Sequence, residues 1–301
     1  QLQLSERSQH SMQSINSDAC SSEAACPCDK APGTCMMWGD PHILVFDDRV
    51  QIRMLDHGVF WVVRASCVGI QAQYGPGGAL KSPAVIKALA IGGAFLQNHT
   101  LLVEPTVGGK VTWDGVQILS GFPSAFDVAG LVNAKYHGDG EHIDPGLRGM
   151  KVKTLDLDLP LGVRVTVNRW PGHLDVLVAM RPLPGGQDGH CGNFNGDPSD
   201  DTAELISQRM GAEVPGSELL FPATFRQTPT RDIAMTLDDC APKRRAKAAK
   251  LCQRSSSRSM SEGASLEDCV FDVCFAGAQY AREDTVVKQQ MQQRVESIAA
   301  S

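Results

Sequence analysis

The sequence predicts a mainly β protein: an antiparallel β-sandwich followed by a small α-helical unit stapled by disulfides. Three observations carry this. Short β-rich runs recur between turns, in a chain of 301 residues with 29 glycines and 17 prolines. Hydrophobic residues make up 42%, enough to bury a real core and too many for a wholly disordered chain. The ten cysteines are an even number in a chain poor in zinc or redox spacings, which points to cystines and an oxidising compartment. The 28 basic against 34 acidic residues argue against a global grip on nucleic acid.

Residues 1–31 are polar and Ser-rich and hold Cys20, Cys26 and Cys28. They read as a loosely ordered leader pinned by disulfides. The chain opens on Gln1-Leu2-Gln3 without a basic or apolar leader segment, as a mature or excised form does. It contains no run of 18 apolar residues to span a membrane. Residues 32–225 are read as the β domain, with strands over 42–46, 59–63, 100–103, 111–113, 116–119, 161–167 and 174–180. Val163, Val165 and Val167 alternate with Arg164, Thr166 and Asn168, the period of two of a half-buried strand. Asp114-Gly115 between two β-rich runs is a hairpin signal. Asn98-His99-Thr100 is an N-glycosylation sequon. Residues 226–301 form the Cys-containing helical module. There Val287, Met291, Val295 and Ile298 fall at helical spacing over 284–299, downstream of Cys240, Cys252, Cys269 and Cys274. Such a unit is too small to bury enough surface alone.

The densest chemistry lies in Cys191-Gly192-Asn193-Phe194-Asn195-Gly196-Asp197-Pro198-Ser199-Asp200-Asp201. Five side chains with oxygen donors sit close together in a bent loop, and Ca²⁺ takes 6–8 oxygens, some of them carbonyls. The start resembles a helix–loop–helix calcium loop, with Glu204 at the twelfth place. Pro198 where that loop needs Gly, and the β-rich approach, argue against that module. The other reading is a solvated cluster of Asx-turns.

Cys35-Met36-Met37-Trp38-Gly39-Asp40-Pro41-His42, followed by Phe46-Asp47-Asp48, forms a second cluster. Together with Cys-Gly-Asn-Phe-Asn-Gly and Asp200-Asp201, it resembles the two ends of a von Willebrand factor type D domain. The separation of Cys35 from Cys191 suits that family. Cys269-Val270-Phe271-Asp272-Val273-Cys274 is similar to the eight-cysteine module that often follows. The likeness spans about residues 32–290 and is weak in the middle. It implies a calcium site in which Asp47 joins Asn193, Asn195, Asp200 and Asp201, with Asp197 giving its backbone carbonyl. It also implies a Cys35–Cys191 disulfide, worth about 4–5 kcal/mol on the chain-entropy model. The chain departs from the family in carrying Asp188 where Cys-x-x-Cys-Gly-Asn is usual, and in lacking a Gly-x-Cys near residue 58. Cys67 and Cys240, left without their usual partners, are then expected to pair with each other, and Cys252 with Cys274. Cys269 or a leader cysteine is left to bridge chains.

Three other clusters carry chemistry of their own. Some type D domains cleave themselves within Gly-Asp-Pro-His; here Asp40 would attack its own carbonyl at Pro41, with His42 as proton donor. His137, Asp139, Glu141, His142 and Asp144 lack the phase of a zinc helix and read as a polar loop. Seven basic residues without an acid lie between Lys243 and Arg258. They read as a solvated helix face, with processing or an acidic glycan at Lys243, Arg244 and Arg245 as the alternatives. The function this implies is a secreted or cell-surface, calcium-binding structural or adhesive glycoprotein module. Its partners would be extracellular proteins or copies of itself. An enzyme-like role (self-cleavage, or an oxidase or luciferase built on type D domains) and a glycan- or lipid-binding role are the alternatives.

Overall fold

In the computed structural model the described residues are 32–39, 42–47, 51–53, 57–77, 84–141, 151–210, 213–225, 236–256, 266–275 and 278. The leader over 1–31 and the helix expected over 284–299 lie outside them. In chain order the strands are β1 (Gly33–Trp38), β2 (His42–Leu44), β3 (Gln51–Arg53), β4 (Gly58–Ala65), β5 (Gly69–Pro76) and β6 (Ala84–Gly92). They continue as β7 (Thr100–Val103), β8 (Val111–Trp113), β9 (Val116–Ile118), β10 (Ser124–Val128), β11 (Val132–Glu141) and β12 (Lys151–Asp158). The last are β13 (Arg164–Arg169), β14 (Leu174–Met180) and β15 (Gln187–Asp188), followed by helices α1 (Ala203–Met210), α2 (Pro242–Ser256) and α3 (Leu266–Phe275).

The pairings are antiparallel and fall into two layers. One runs β10-β11-β12-β13-β14-β1-β2-β3 and the other β15-β4-β5-β6-β7-β8-β9. They are joined at a corner by the single pair Leu174↔Ile86. Leu155, Leu157, Val165, Val167, Val176 and Val178 of the first layer share one buried core with Ile70, Ile86, Leu89 and Ile91 of the second. This is the expected antiparallel sandwich, a nearly closed one.

Local rules place several elements. In the β8–β9 hairpin Trp113 pairs with Val116, leaving Asp114 (φ 50°) and Gly115 (φ 79°) as the two-residue turn, the left-handed pair a type I′ turn demands. Two of the differences from the expected strand boundaries have a clear local cause. The strand expected over 161–167 begins only at Arg164, because Pro160–Gly162 forms a 3-10 turn with Leu161 and Gly162 at positive φ. The strand expected to reach residue 46 stops at Leu44, and the Phe46 N–H donates to Cys191 O at 3.0 Å instead. On β13 the polar face is buried as well as the valine face: the Thr166 hydroxyl donates to Asp156, and the Thr154 hydroxyl donates to Asn168.

The helical unit corrects the expected cysteine pairs. Cys240 pairs with Cys274 and Cys252 with Cys269, so Cys252–Cys274 and Cys67–Cys240 do not form and Cys269 is not spare. The nested pairing follows from two helices running in opposite directions, which brings the start of one to the end of the other. Cys67 lies between β4 and β5, in the β domain, and is disulfide-bonded to a partner outside the described residues. The unit docks through Asp272 of α3, which forms an ion pair with Arg53 of β3 and lies 3.1 Å from His42 Nε2. The Arg53 guanidinium also covers the Phe271 ring at 4.3 Å.

Removing one member of a buried pair leaves the other charge uncompensated, at a cost of about 3–5 kcal/mol. Asp272→Ala is therefore expected to lower the denaturation midpoint by a corresponding amount and to speed hydrogen exchange in α3 before the core. Unchanged α3 protection would show that the contact does not hold the unit.

Candidate metal centre

The acidic loop is held before it turns. The His190 and Cys191 N–H groups donate to Trp61 O (2.9 Å) and Val62 O (3.1 Å), laying the segment along β4. Cys191 bonds Cys35 of β1, and Phe46 stacks on Phe194 with ring centroids 4.8 Å apart. Gly192 (φ 82°) must be glycine twice over: its backbone is left-handed, and a Cβ there would collide with the Asp201 carboxylate.

From Asn193 the loop climbs by successive Asx-turns. Asn193 Oδ1 accepts from Asn195 N (3.1 Å), Asn195 Oδ1 from Asp197 N (2.6 Å) and Asp197 Oδ1 from Ser199 N (3.0 Å). Asp47, arriving from the end of β2, accepts from Asn195 N (2.8 Å) with one oxygen and from Gly196 N (2.9 Å) with the other. The side-chain amides of Asn193 and Asn195 both donate to Asp200 Oδ2, at 2.8 and 3.0 Å. Asp201 is buried and accepts from Asn193 N (3.3 Å) and from Arg209 of α1 (2.7 Å).

Asp47, Asn193, Asn195, Asp200 and Asp201 are thus brought together from both ends of the β domain. Asp197 is exposed, and its carboxylate is committed to Ser199, whose hydrogen bonds hold its pKa below the usual range. Burial pushes the Asp201 carboxyl up, opposed by Arg209 and the Asn193 N–H and reinforced by Asp47. Two buried oxygens, Asp200 Oδ1 and Asp201 Oδ2, have no hydrogen-bond partner among the described residues. A buried carboxylate oxygen left unpaired is costly, and a hard cation is one of the groups that can relieve it. The donors therefore fit Ca²⁺ in kind: carboxylate and amide oxygens only. They are not grouped for it, since no set of three His, Cys, Asp or Glu ligands converges among the described residues. The Asp47 oxygens face backbone N–H groups and one Asp201 oxygen faces Arg209.

Arg209, which the sequence reading overlooked, also donates to Asp200 O at 2.5 Å. The signal available for it was a lone cation on the helix that follows an acidic loop. Beside the loop, His190 is fully enclosed, its Nδ1 2.9 Å from the Tyr74 hydroxyl and its ring stacked on Phe60.

The remaining candidates fall apart from this centre. Asp40 and Pro41 lie outside the described residues, as do His142 and Asp144. His42 is buried, stacked on Trp38 and directed at Asp272. The supposed polar loop after His137 is instead strand β11 up to Glu141, with a register shift between His137 and Gly140. His137 Nε2 bonds Asp156 of the neighbouring strand at 2.6 Å. Asn98 is exposed at positive φ in the turn before β7, where its side chain is open to modification. An open cleft of about 410 Å³ lies elsewhere, lined by Gln73, Lys87, Glu104, Pro105, Val107 and Phe225 among others. Lys87 donates there to Gly172 O. No helix among the described residues is long and apolar enough to cross a membrane.

No protein-family model matches the chain, and no curated protein matches it.

Burial lowers the His190 imidazole pKa to about 3. The unfolded chain takes up this proton near pH 6.5, so stability is full above that value and declines as the pH falls towards 3. The decline is about 1.4 kcal/mol per pH unit. Urea midpoints measured between pH 7 and 4 are expected to fall steeply for the native chain and less steeply for His190→Gln. Parallel curves would remove His190 from the account.

Proposed function

We propose that this chain is a secreted or cell-surface calcium-binding module with a structural or adhesive role in an extracellular glycoprotein assembly. The observation that carries this reading is the pair of unpartnered buried oxygens of Asp200 and Asp201 beside the Cys35–Cys191 cystine. The likeness of both motifs to those of a von Willebrand factor type D domain supports it. Asp47, Asn193, Asn195, Asp200 and Asp201 would hold the ion by side-chain oxygens, and Asp197 by its carbonyl. The ion would add positive charge beside Asp200 and Asp201, which share the single guanidinium of Arg209. It also ties β2 to the loop, so binding and folding become linked.

In this reading the module works through its surfaces, and its cystines keep their geometry in an oxidising compartment. All seven described cysteines are disulfide-bonded, so a bond between chains would draw on the cysteines before residue 32. A glycan at Asn98 would suit the same setting.

Calcium at about one hundred times its Kd adds about 2.7 kcal/mol, or roughly 5–10 °C in Tm for a domain of this size. Chelator-stripped protein titrated with calcium chloride should therefore bind with measurable heat and melt higher. Asp201→Asn should lose most of both effects while keeping the Cys35–Cys191 bond. Equal melting curves with calcium and with chelator, and no heat of binding, would overturn the proposal.

A further inference from the structure

The basic segment acquires a definite shape in α2. Ala248 and Cys252 are buried against Val270 and Val273 of α3, and Cys252 is bonded to Cys269. This fixes the rotation of the helix about its own axis. At 3.6 residues per turn, Lys243, Lys247, Lys250 and Arg254 then fall in one stripe about 60° wide on the opposite face, about 16 Å long. The three lysines and Arg254 are exposed, as is Arg244 on the flank. Arg245 is turned away from the stripe, 3.2 Å from Asp238. The surface is thus not the run of three basic residues visible in the sequence but a line of cations one or two helical turns apart.

The charge is local. Between Lys243 and Arg258 there are seven basic residues and no acid, while the rest of the chain holds 34 acidic residues against 21 basic ones. A polyanion would be attracted to this helix and repelled elsewhere, which orients it along the stripe. The kind of polyanion follows from what the stripe lacks. The α2 sequence contains no aromatic residue on which a nucleic-acid base could stack. Its apolar side is sealed against α3, so it offers no wedge to a bilayer. Lysine ammoniums are compact point charges suited to strong-acid groups repeated along a chain.

We propose that α2 is a docking surface for a linear sulfated polysaccharide, held by Lys243, Lys247 and Lys250 with Arg244 beside them. This goes beyond the calcium reading and rests on the cystines and the charge alone.

The test uses the full chain and heparin as the probe, by affinity chromatography and titration calorimetry. Binding is expected at about 150 mM salt, with an affinity that falls with salt at a log–log slope of about 3, as for release of four counterions. Lys243→Glu/Lys247→Glu/Lys250→Glu should weaken binding about tenfold or more, and Lys247→Ala/Lys250→Ala by a smaller factor. Arg245→Gln should bind as the native chain does. Calcium titrations and Tm should be the same for the native chain and the double variant, which separates failure here from failure of the calcium site. The proposal is overturned by no retention on heparin, by lysine variants that bind like the native chain, or by equal or tighter binding to duplex DNA or to phosphatidylserine vesicles.

Discussion

The bond between Cys35 and Cys191 is the constraint on which the candidate centre depends. It joins the first described strand to the loop that follows β15, across 156 residues of sequence. Once Cys191 is fixed there, the Phe46 N–H meets its carbonyl, Phe46 lies against Phe194, and Asp47 reaches the N–H groups of Asn195 and Gly196. None of these contacts is local. Each needs β1, β2 and the acidic loop in register at once. A cross-link that removes loop entropy from the unfolded chain favours all of them together.

The three residues of β2 act as a hub. At its start His42 faces Asp272 of the helical unit; just past its end Asp47 reaches into the acidic loop. Two carboxylates are buried at these two ends and satisfied differently. Asp272 meets Arg53 and His42, whereas Asp201 has one oxygen on Arg209 and one without a partner. The first arrangement is a finished structural contact. The second leaves one carboxylate oxygen open to a further positive charge or a proton.

Legibility followed the range of the physics. The β8–β9 hairpin was readable because Asp114-Gly115 fixes a turn within four residues. The strands β5 and β6 were not singled out. In β5 Ile70, Ala72 and Tyr74 alternate with Gln71 and Gln73 over a run too short to stand out, and the glutamines are buried because covering segments pair with them. Gln71 donates to Glu218 O and accepts from Leu220 N, and Gln73 donates to Phe225 O. Alanines in β6 likewise weaken a strand signal that its neighbours restore. The oxygen-rich loop could be seen as a cluster, and its likeness to known motifs pointed to Asp47. Arg209 had no such motif. The helical cysteines were mispaired because partner choice depends on how α2 and α3 run past each other, which no short spacing encodes.

The same cystine also sets what happens when the molecule is pulled. Tension applied at the two ends of the chain would cross directly from Cys35 to Cys191, leaving the strands from β2 to β15 out of the load path. The 156 residues between them would otherwise yield about 500 Å of slack when drawn straight. With the bond intact that length stays stored, and the load falls on the acidic loop and the docked helices. Most strands of the sandwich are thus shielded from such a force, while Asp200 and Asp201, which follow Cys191, stand on its loaded side.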